Sequence, residues 1–363
     1  MVVAVLILGA IMVSPILVVA WCRKSGRAAQ PIITNHTFGI FVSILLVVGA
    51  VLLSLRYGAL QMSWSTVLNA LVNFDETSHE HLIVRELRWS RTILGLVAGS
   101  SLAVAGALTQ GVTRNPLGDP GILGINAGAT FAIVTAIYAA DIVTPKGYVW
   151  FAFLGALVAL VLVYAIARVG SGGATPVKLA LAGVITTALL GGWTSSILIL
   201  DEETFDEARF WLAGSISSRG TEEISVLYPL IILGLLVGVS MGRQINILNL
   251  GDETATSLGQ RTALVRICVG VVVVLLCGSA VAIAGPLAFV GLAIPHMVRS
   301  LVGADYRWIL IYSFLLGPCL VLGADVTGRV IMRPEELQVG IVTAAVGAPF
   351  LIYLVRFTRL SEV

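Results

Sequence analysis

Apolar runs long enough to cross a lipid bilayer recur along almost the whole chain, and they constrain its fold more than any other feature. A membrane-spanning helix needs about 17 to 25 mostly apolar residues. Runs of this kind cover residues 36–56, 92–110, 121–140, 149–168, 177–198, 225–242, 262–284, 286–302, 306–330 and 338–357, and an eleventh candidate covers 3–21. The sequence therefore predicts an all-α polytopic membrane protein of about ten transmembrane helices, with a possible extra N-terminal span.

The balance of side chains agrees with this class. Hydrophobic residues make up 58% of the 363 residues, charged residues only 12%, and the mean hydropathy is +0.98. A soluble fold of this length would have too little polar side chain to cover its surface. The net charge of +2 gives no reason to expect a nucleic acid partner. We expect the lipid bilayer to be the surrounding medium.

The flanking charges suggest an orientation and a division of the chain. If the loop holding Arg23, Lys24 and Arg27 is cytoplasmic, alternation leaves Lys and Arg in modest excess inside and places most acidic loop residues outside. Residues 1–35 are then an N-terminal extension and residues 36–363 the ten-helix permease domain. We expect the extension to hold an extra span; a cleaved signal or a mis-assigned start is the alternative, although a signal carries its positive charge before the apolar stretch.

No residue pattern for chemistry is present in the sequence. The dipeptide Gly-Lys never occurs, so there is no Walker A loop, and no nucleophile or acid/base arrangement is recognisable. The four histidines, at 36, 79, 81 and 296, are scattered, and the four cysteines form no CxxC pair. We expect a protein that is not an enzyme, with no metal site and no cofactor of its own. A pump built on this chain needs an external energy source.

The segment Ala284–Arg299, AGPLAFVGLAIPHMVR, interrupts an otherwise membrane-embedded stretch with a Gly-Pro pair and a Pro-His pair. Breaking a helix at membrane depth leaves backbone N–H and C=O groups unpaired, which is tolerated only where protein or a water-filled cavity takes them up. This segment predicts a transport pathway.

Two further polar stretches lie on the predicted cytoplasmic side. Thr113–Gly121, with two prolines and two glycines, predicts a rigid turn between two spans. In Leu248–Gln260, Asp252 can cap a short amphipathic helix whose first turn carries Glu253. Such a helix suits docking onto a cytoplasmic partner; lying along the lipid interface is the alternative, which the absence of a basic face disfavours.

Four motifs together resemble one protein family. The stretch from Arg88 to Ala129 follows the pattern RxxRT…TRNPLxDPGxLG; LGDE…LG, GPxxFVGLxxPHxxR and ADxxxR…PxELxVGxVTAxxGAPxF follow in order. This resembles the FecCD family, the bacterial ABC importer permeases for iron-siderophores, haem and cobalamin, over residues 40–358. The chain departs from the family's pattern at its N-terminal extension and at Trp89-Ser90, where the family commonly has Leu-Pro.

The resemblance implies a BtuC-like fold in the bacterial cytoplasmic (inner) membrane and a set of partners. These are a second permease subunit, identical or related, with the pathway between the two, two cytoplasmic ATPase subunits that use ATP and Mg, and an external binding protein that delivers the cargo. We expect the cargo to be a ferric siderophore, with haem or cobalamin as alternatives. An ion-coupled secondary transporter or channel acting without an ATPase is the alternative from another class.

The resemblance also implies roles for particular residues. Coupling to the ATPase falls on Leu250, Gly251, Asp252, Glu253, Leu258 and Gly259; the cytoplasmic gate on Asn115, Pro116 and Leu117; and docking of the binding protein on Arg88, Arg91 and Arg329. Snorkelling at the membrane interface is the alternative for each arginine. Arg329 also has a rival partner, since Asp325 lies four residues earlier on the same helical face.

Small and weakly polar residues recur at helical spacing in two of the spans. They are Thr187, Gly191, Thr194 and Ser195 in one span and Gly340, Thr343 and Gly347 in the other. Stripes of this kind ordinarily pack helices together. Lining of the pathway and helix packing are both open for these residues.

Overall fold

The computed structural model describes residues 32–170, 175–217, 225–333 and 335–357. The described residues form helices and turns without a β-strand. The candidate span at 3–21 and the basic loop that follows it lie outside them. The helices in chain order are α1 (His36–Arg56), α2 (Trp64–Val72), α3 (His79–Leu82), α4 (Trp89–Thr113), α5 (Ile125–Ala140), α6 (Pro145–Ala167), α7 (Pro176–Leu200), α8 (Glu202–Leu212), α9 (Leu227–Ser240), α10 (Gly242–Asn249), α11 (Asp252–Ser257), α12 (Thr262–Ala284), α13 (Val290–Val302), α14 (Tyr306–Ile331) and α15 (Val339–Phe357).

All ten predicted runs are helical. Six helices, α1, α4, α6, α7, α12 and α14, are long and apolar enough to span a bilayer. A seventh span consists of α9 and α10 together, bent by 46°. The other three runs form the shorter apolar helices α5, α13 and α15. With 13 residues, α13 is about 20 Å long, less than the roughly 30 Å of a bilayer core.

One helix begins earlier than the sequence suggests. A π-helical turn, Ile83–Arg88, joins α3 to α4 into a continuous helical stretch of 35 residues from His79 to Thr113. No glycine or proline interrupts residues 79–94, so nothing in this stretch ends the helix. The loop between the first two predicted spans, residues 57–91, is therefore partly helical. The π-helical turn carries Arg85 and Arg88 at its end.

Helix α4 lies at the centre of the bundle and α7 at its edge. In the helical stretch that contains α4, 83% of the most apolar segment is buried. The corresponding share in α7 is 17%. Glycines bring α4 close to its neighbours. A Cβ on Gly99 would lie 2.7 Å from the backbone of Gly317 in α14, and one on Gly106 would overlap the carbonyl oxygen of Gly291 in α13. Small residues permit such close backbone approach in membrane proteins.

Candidate functional site

The broken stretch between α12 and α13, residues 285–289, packs against other parts of this chain. Gly285 has a φ of 70°, and a Cβ there would overlap the carbonyl oxygen of Trp211, so this position requires glycine. The carbonyl oxygen of Val281 accepts from the Gly285 N–H at 2.8 Å and from Trp211 Nε1 at 3.1 Å. Trp211 is only 4% exposed. Its indole therefore packs against the break.

The predicted gate residues form a tight turn, which we call the gate turn (Asn115, Pro116 and Leu117). The Asn115 side-chain oxygen accepts from the Leu117 N–H at 2.9 Å, and its carbonyl accepts from the Gly118 N–H at 2.9 Å. Leu117 packs against an apolar cluster of Ala293, Met297 and Phe350. The fold thus brings the gate turn, α13 and α15 together, although their motifs are far apart in sequence.

Asp119, just beyond the gate turn, is a residue that sequence reasoning missed. Its Oδ1 accepts from the Gly121 N–H at 2.7 Å, and its Oδ2 faces Gly291, where a Cβ would come within 2.9 Å. Enclosure by protein raises the pKa of this carboxyl to about 6, and the Gly121 hydrogen bond offsets the rise in part. The available signal was a carboxylate between two prolines, Pro116 and Pro120.

The segment from Leu250 to Gly259, which we call the coupling segment, contains the short helix α11. Asp252 was predicted to cap this helix, and the prediction was wrong. Gly251, with a φ of 107°, occupies the cap position, and the Asp252 carboxylate pairs with Arg114 and Arg266. The side chains of Leu250 and Leu258 are 60% and 62% exposed, whereas Ala255 is buried on the opposite side. Glu253 is exposed as well, and Gly259 ends the segment with a φ of 80°.

At the opposite end of α4 lies a set of charged residues that we call the arginine cluster (Arg88, Arg91, Asp325, Arg329 and Glu336). Asp325 receives Arg329 Nη2 at 2.8 Å and Arg91 Nη2 at 2.7 Å, and Arg91 Nη1 reaches Glu336 Oε2 at 2.6 Å. The side chains of Asp325, Arg329, Arg91 and Glu336 are 0%, 2%, 12% and 34% exposed, in that order. The predicted Asp325–Arg329 pair is confirmed.

All three arginines of the cluster have partners inside the chain, and two of them also donate to α1 and the residues that follow it. Arg88 donates to the carbonyl oxygens of Leu55, Arg56 and Leu60 at 2.8, 2.7 and 2.5 Å, which satisfies the end of α1. Arg329 donates to the Ser54 carbonyl and hydroxyl oxygens at 3.1 and 3.0 Å. Arg91 is thus the arginine that reaches furthest towards the exposed Glu336.

The two stripes of small residues have different surroundings. On α7, Thr187, Gly191 and Ser195 are exposed, and a Cβ on Gly191 would meet no atom within 4 Å. Thr194 is 7% exposed and donates to the Leu190 carbonyl at 2.8 Å.

The stripe on α15 is packed within the subunit. The Gly340 N–H donates to the Gly214 carbonyl at 2.9 Å, and Thr343 is 1% exposed. Gly347 lies directly against the Phe289 ring. Helix packing therefore accounts for the contacts of Gly340, Thr343 and Gly347, whereas the α7 stripe faces open space in this chain.

The described geometry, a broken helix beside a tight turn within a bundle of about ten apolar helices, is that of a membrane transport permease. Comparison with known proteins gives the family. The chain belongs to the FecCD transport family, whose model matches residues 44–357. It is a permease subunit of an ABC importer and a multi-pass protein of the bacterial inner membrane.

Individual relatives cover most of this chain. The ferric enterobactin transport system permease protein FepD of Escherichia coli is 46% identical over 86% of this chain and 93% of its own. The Fe(3+)-citrate import system permease protein YfmD of Bacillus subtilis is 42% identical over 85% and 91%. A solved structure of a metal-chelate type ABC transporter in an inward-facing conformation superposes with a TM-score of 0.76 at 28% identity, over 88% of this chain and 99% of that one.

Proposed function

We propose that this permease moves a ferric siderophore, or a related iron chelate, into the cell, with energy from two ATPase subunits bound at the coupling segment. The observation that carries the proposal is the pair of exposed leucines, Leu250 and Leu258, on a segment that is paired through Asp252 with Arg114, the residue before the gate turn. Two exposed leucines on one short segment at a polar end of a membrane protein suit contact with a protein partner. ATP and Mg are used by those partners, not by this chain.

The proposed cargo class follows from the relatives and from the exposed α7 face. Two relatives are named for ferric enterobactin and for ferric citrate, both of them iron chelates. A protein site for a bare metal ion supplies carboxylate, imidazole or thiolate ligands. The α7 face instead presents Thr187, Gly191 and Ser195, which suit a large chelate whose own donor atoms hold the iron.

The proposed position of the pathway is between α7 and a second permease subunit. Apolar side chains such as Val184, Ile185 and Trp193, at 60%, 60% and 52% exposure, surround the small residues on α7. A second permease, identical or related, would cover this mixed face, whereas lipid alone would leave the hydroxyl groups without water. Thr187, Gly191 and Ser195 then line the pathway, with Thr194 at its edge.

The proposed docking site of the external binding protein is the arginine cluster. Arg88, Arg91 and Arg329 outnumber the carboxylates Asp325 and Glu336, so the cluster has a positive excess that attracts acidic groups. Arg91 offers the contact, and the buried Arg88 and Arg329 shape the surface around it. Asp325 pairs with two arginines, which gives no support to a proton-relay role of the kind that an ion-coupled transporter would use.

A bulky residue at Gly191 tests the pathway. We expect Gly191→Trp to lower uptake of a radioiron-labelled chelate at least tenfold at normal membrane abundance, because the position is open in this chain and a large ring would project into the pathway. Gly49→Trp is the matched control: Gly49 on α1 also has no atom within 4 Å of an added Cβ. Wild-type uptake by Gly191→Trp would contradict the proposed position.

A further inference from the structure

An ion cluster at the predicted cytoplasmic end joins the coupling segment to the gate turn. Arg114 pairs with Asp252 Oδ1 through Nη2, and the same Nη2 donates to the Leu248 carbonyl oxygen at 2.6 Å. Arg266 Nη2 lies 2.9 Å from both oxygens of the Asp252 carboxylate. Arg114 immediately precedes Asn115, so its side chain links the residue before the gate turn to the first residue of α11.

The backbone at Arg114 is unusual for a long side chain. Arg114 ends α4 in the left-handed conformation, with a φ of 50° and a ψ of 32°, and its N–H donates to the Gln110 carbonyl. Helices ordinarily place glycine or asparagine at such a position, because a Cβ there is strained. The contacts of the guanidinium with Leu248 and Asp252 offset this strain. The presence of arginine at this position is therefore explained by the contacts of its side chain and not by a preference of the backbone conformation.

The surrounding contacts hold α10 firmly and leave α11 exposed. Asn249 Nδ2 donates to the Gly111 carbonyl at 3.3 Å, and Asn246 Nδ2 donates to Asp305 Oδ1 at 2.7 Å. In α11 only Ala255 is buried. Among the described residues, the Arg114–Asp252 ion pair joins α11 to the residue that precedes the gate turn.

The gate turn, in turn, packs against the apolar cluster that α13 and α15 form. Leu117 lies three residues after Arg114 and packs against Met297 in α13 and Phe350 in α15. A displacement of α11 that moves Asp252 would therefore pull on Arg114 and shift Leu117 against that cluster. The path consists of the Asp252–Arg114 ion pair, the backbone from Arg114 to Leu117, and the packing of Leu117 on the cluster.

We propose that Arg114 is a positioning residue that transmits movement of the coupling segment to the gate turn. Arg266 fixes the Asp252 carboxylate on its other side without touching the gate turn. This inference rests on the proposed function, because it needs an ATPase that moves α11. Exposed ion pairs contribute little to stability, and Arg114 and Asp252 are 35% and 49% exposed. Loss of the pair should thus affect coupling more than folding.

The experiment uses the whole transporter in liposomes, with its ATPase subunits and the iron-loaded binding protein, and measures cargo taken up per ATP hydrolysed. We expect Arg114→Ala to lower this ratio at least tenfold, with ATPase subunits still bound and ATP still hydrolysed within twofold of wild type. Arg266→Ala is the matched control, with less than a threefold loss. Arg114→Lys, which keeps the charge but not the two-pronged geometry, should fall between them at normal abundance.

A double-mutant cycle identifies the pair itself. If Arg114 acts through Asp252, the double variant Arg114→Ala/Asp252→Ala has a ratio within threefold of Arg114→Ala alone, because the further ion pair that it loses is the one with Arg266, the control. The inference would be overturned if the loss in the double variant were the product of the two single losses. A wild-type ratio in both Arg114→Ala and Arg114→Lys would overturn it as well. If the wild-type complex itself showed no ATP-driven uptake, the proposed function would fail instead.

Discussion

We expect Leu258→Asp to lower cargo uptake at least tenfold while the permease remains in the membrane at normal abundance. The Leu258 side chain is 62% exposed, so the change removes little packing inside the subunit. It places a charge where an apolar cleft of the ATPase would receive a leucine, and burying an unpaired charge is costly. The measurements are radioiron uptake, ATP hydrolysis and the amount of ATPase subunit that co-purifies with the permease.

Val169→Asp is the control for this prediction. Val169 is 75% exposed at the same predicted cytoplasmic end, but it lies outside the coupling segment. It should transport at the wild-type level. Glu253→Arg, in the first turn of α11, should resemble Leu258→Asp. Full transport by both coupling-segment variants at normal abundance would show that the ATPase does not use this surface.

The second large effect is expected on stability. Asp325→Ala leaves Arg329, at 2% exposure, without its carboxylate, and removes one of the two carboxylates that Arg91 contacts. Removing one partner of a buried ion pair costs about 3 to 5 kcal/mol. We expect a corresponding drop in thermal stability of the detergent-solubilised protein and in membrane abundance. Asp325→Ala/Arg329→Met should recover part of the loss, because it removes the most deeply buried unpaired charge.

Glu336→Gln provides the comparison within the same cluster. The Glu336 side chain is 34% exposed, and an exposed ion pair contributes about 0 to 1 kcal/mol. Its loss should therefore barely change stability. Equal stability of Asp325→Ala and Glu336→Gln would mean that the arginine cluster is solvated, not buried.

The sequence was sufficient for the class and for the positions of ten apolar helical runs. Each of the ten runs is long and apolar, and local composition alone determines that such a run is helical in lipid. The motifs were specific enough to indicate the family. The failures were at helix ends: the π-helical turn before α4 and the glycine cap of α11 depend on contacts that residue spacing does not reveal.

The partners of the buried arginines could not be read from the sequence for a related reason. Arg88 satisfies Leu55, 33 residues away, and Arg329 contacts Ser54, 275 residues away. Motif order pointed to these arginines but gave no sign of their burial. The two stripes of small residues are equally alike in sequence; only tertiary packing shows that Gly347 lies on Phe289 while Gly191 faces open space.

Uptake into proteoliposomes under two energy sources tests the central claim most directly. Permease reconstituted with its ATPase subunits and supplied with loaded binding protein should accumulate the iron chelate against its gradient only when ATP and Mg reach the ATPase side. The permease alone, given a proton or sodium gradient, should accumulate none. Uphill accumulation by the permease alone under an ion gradient would contradict the account.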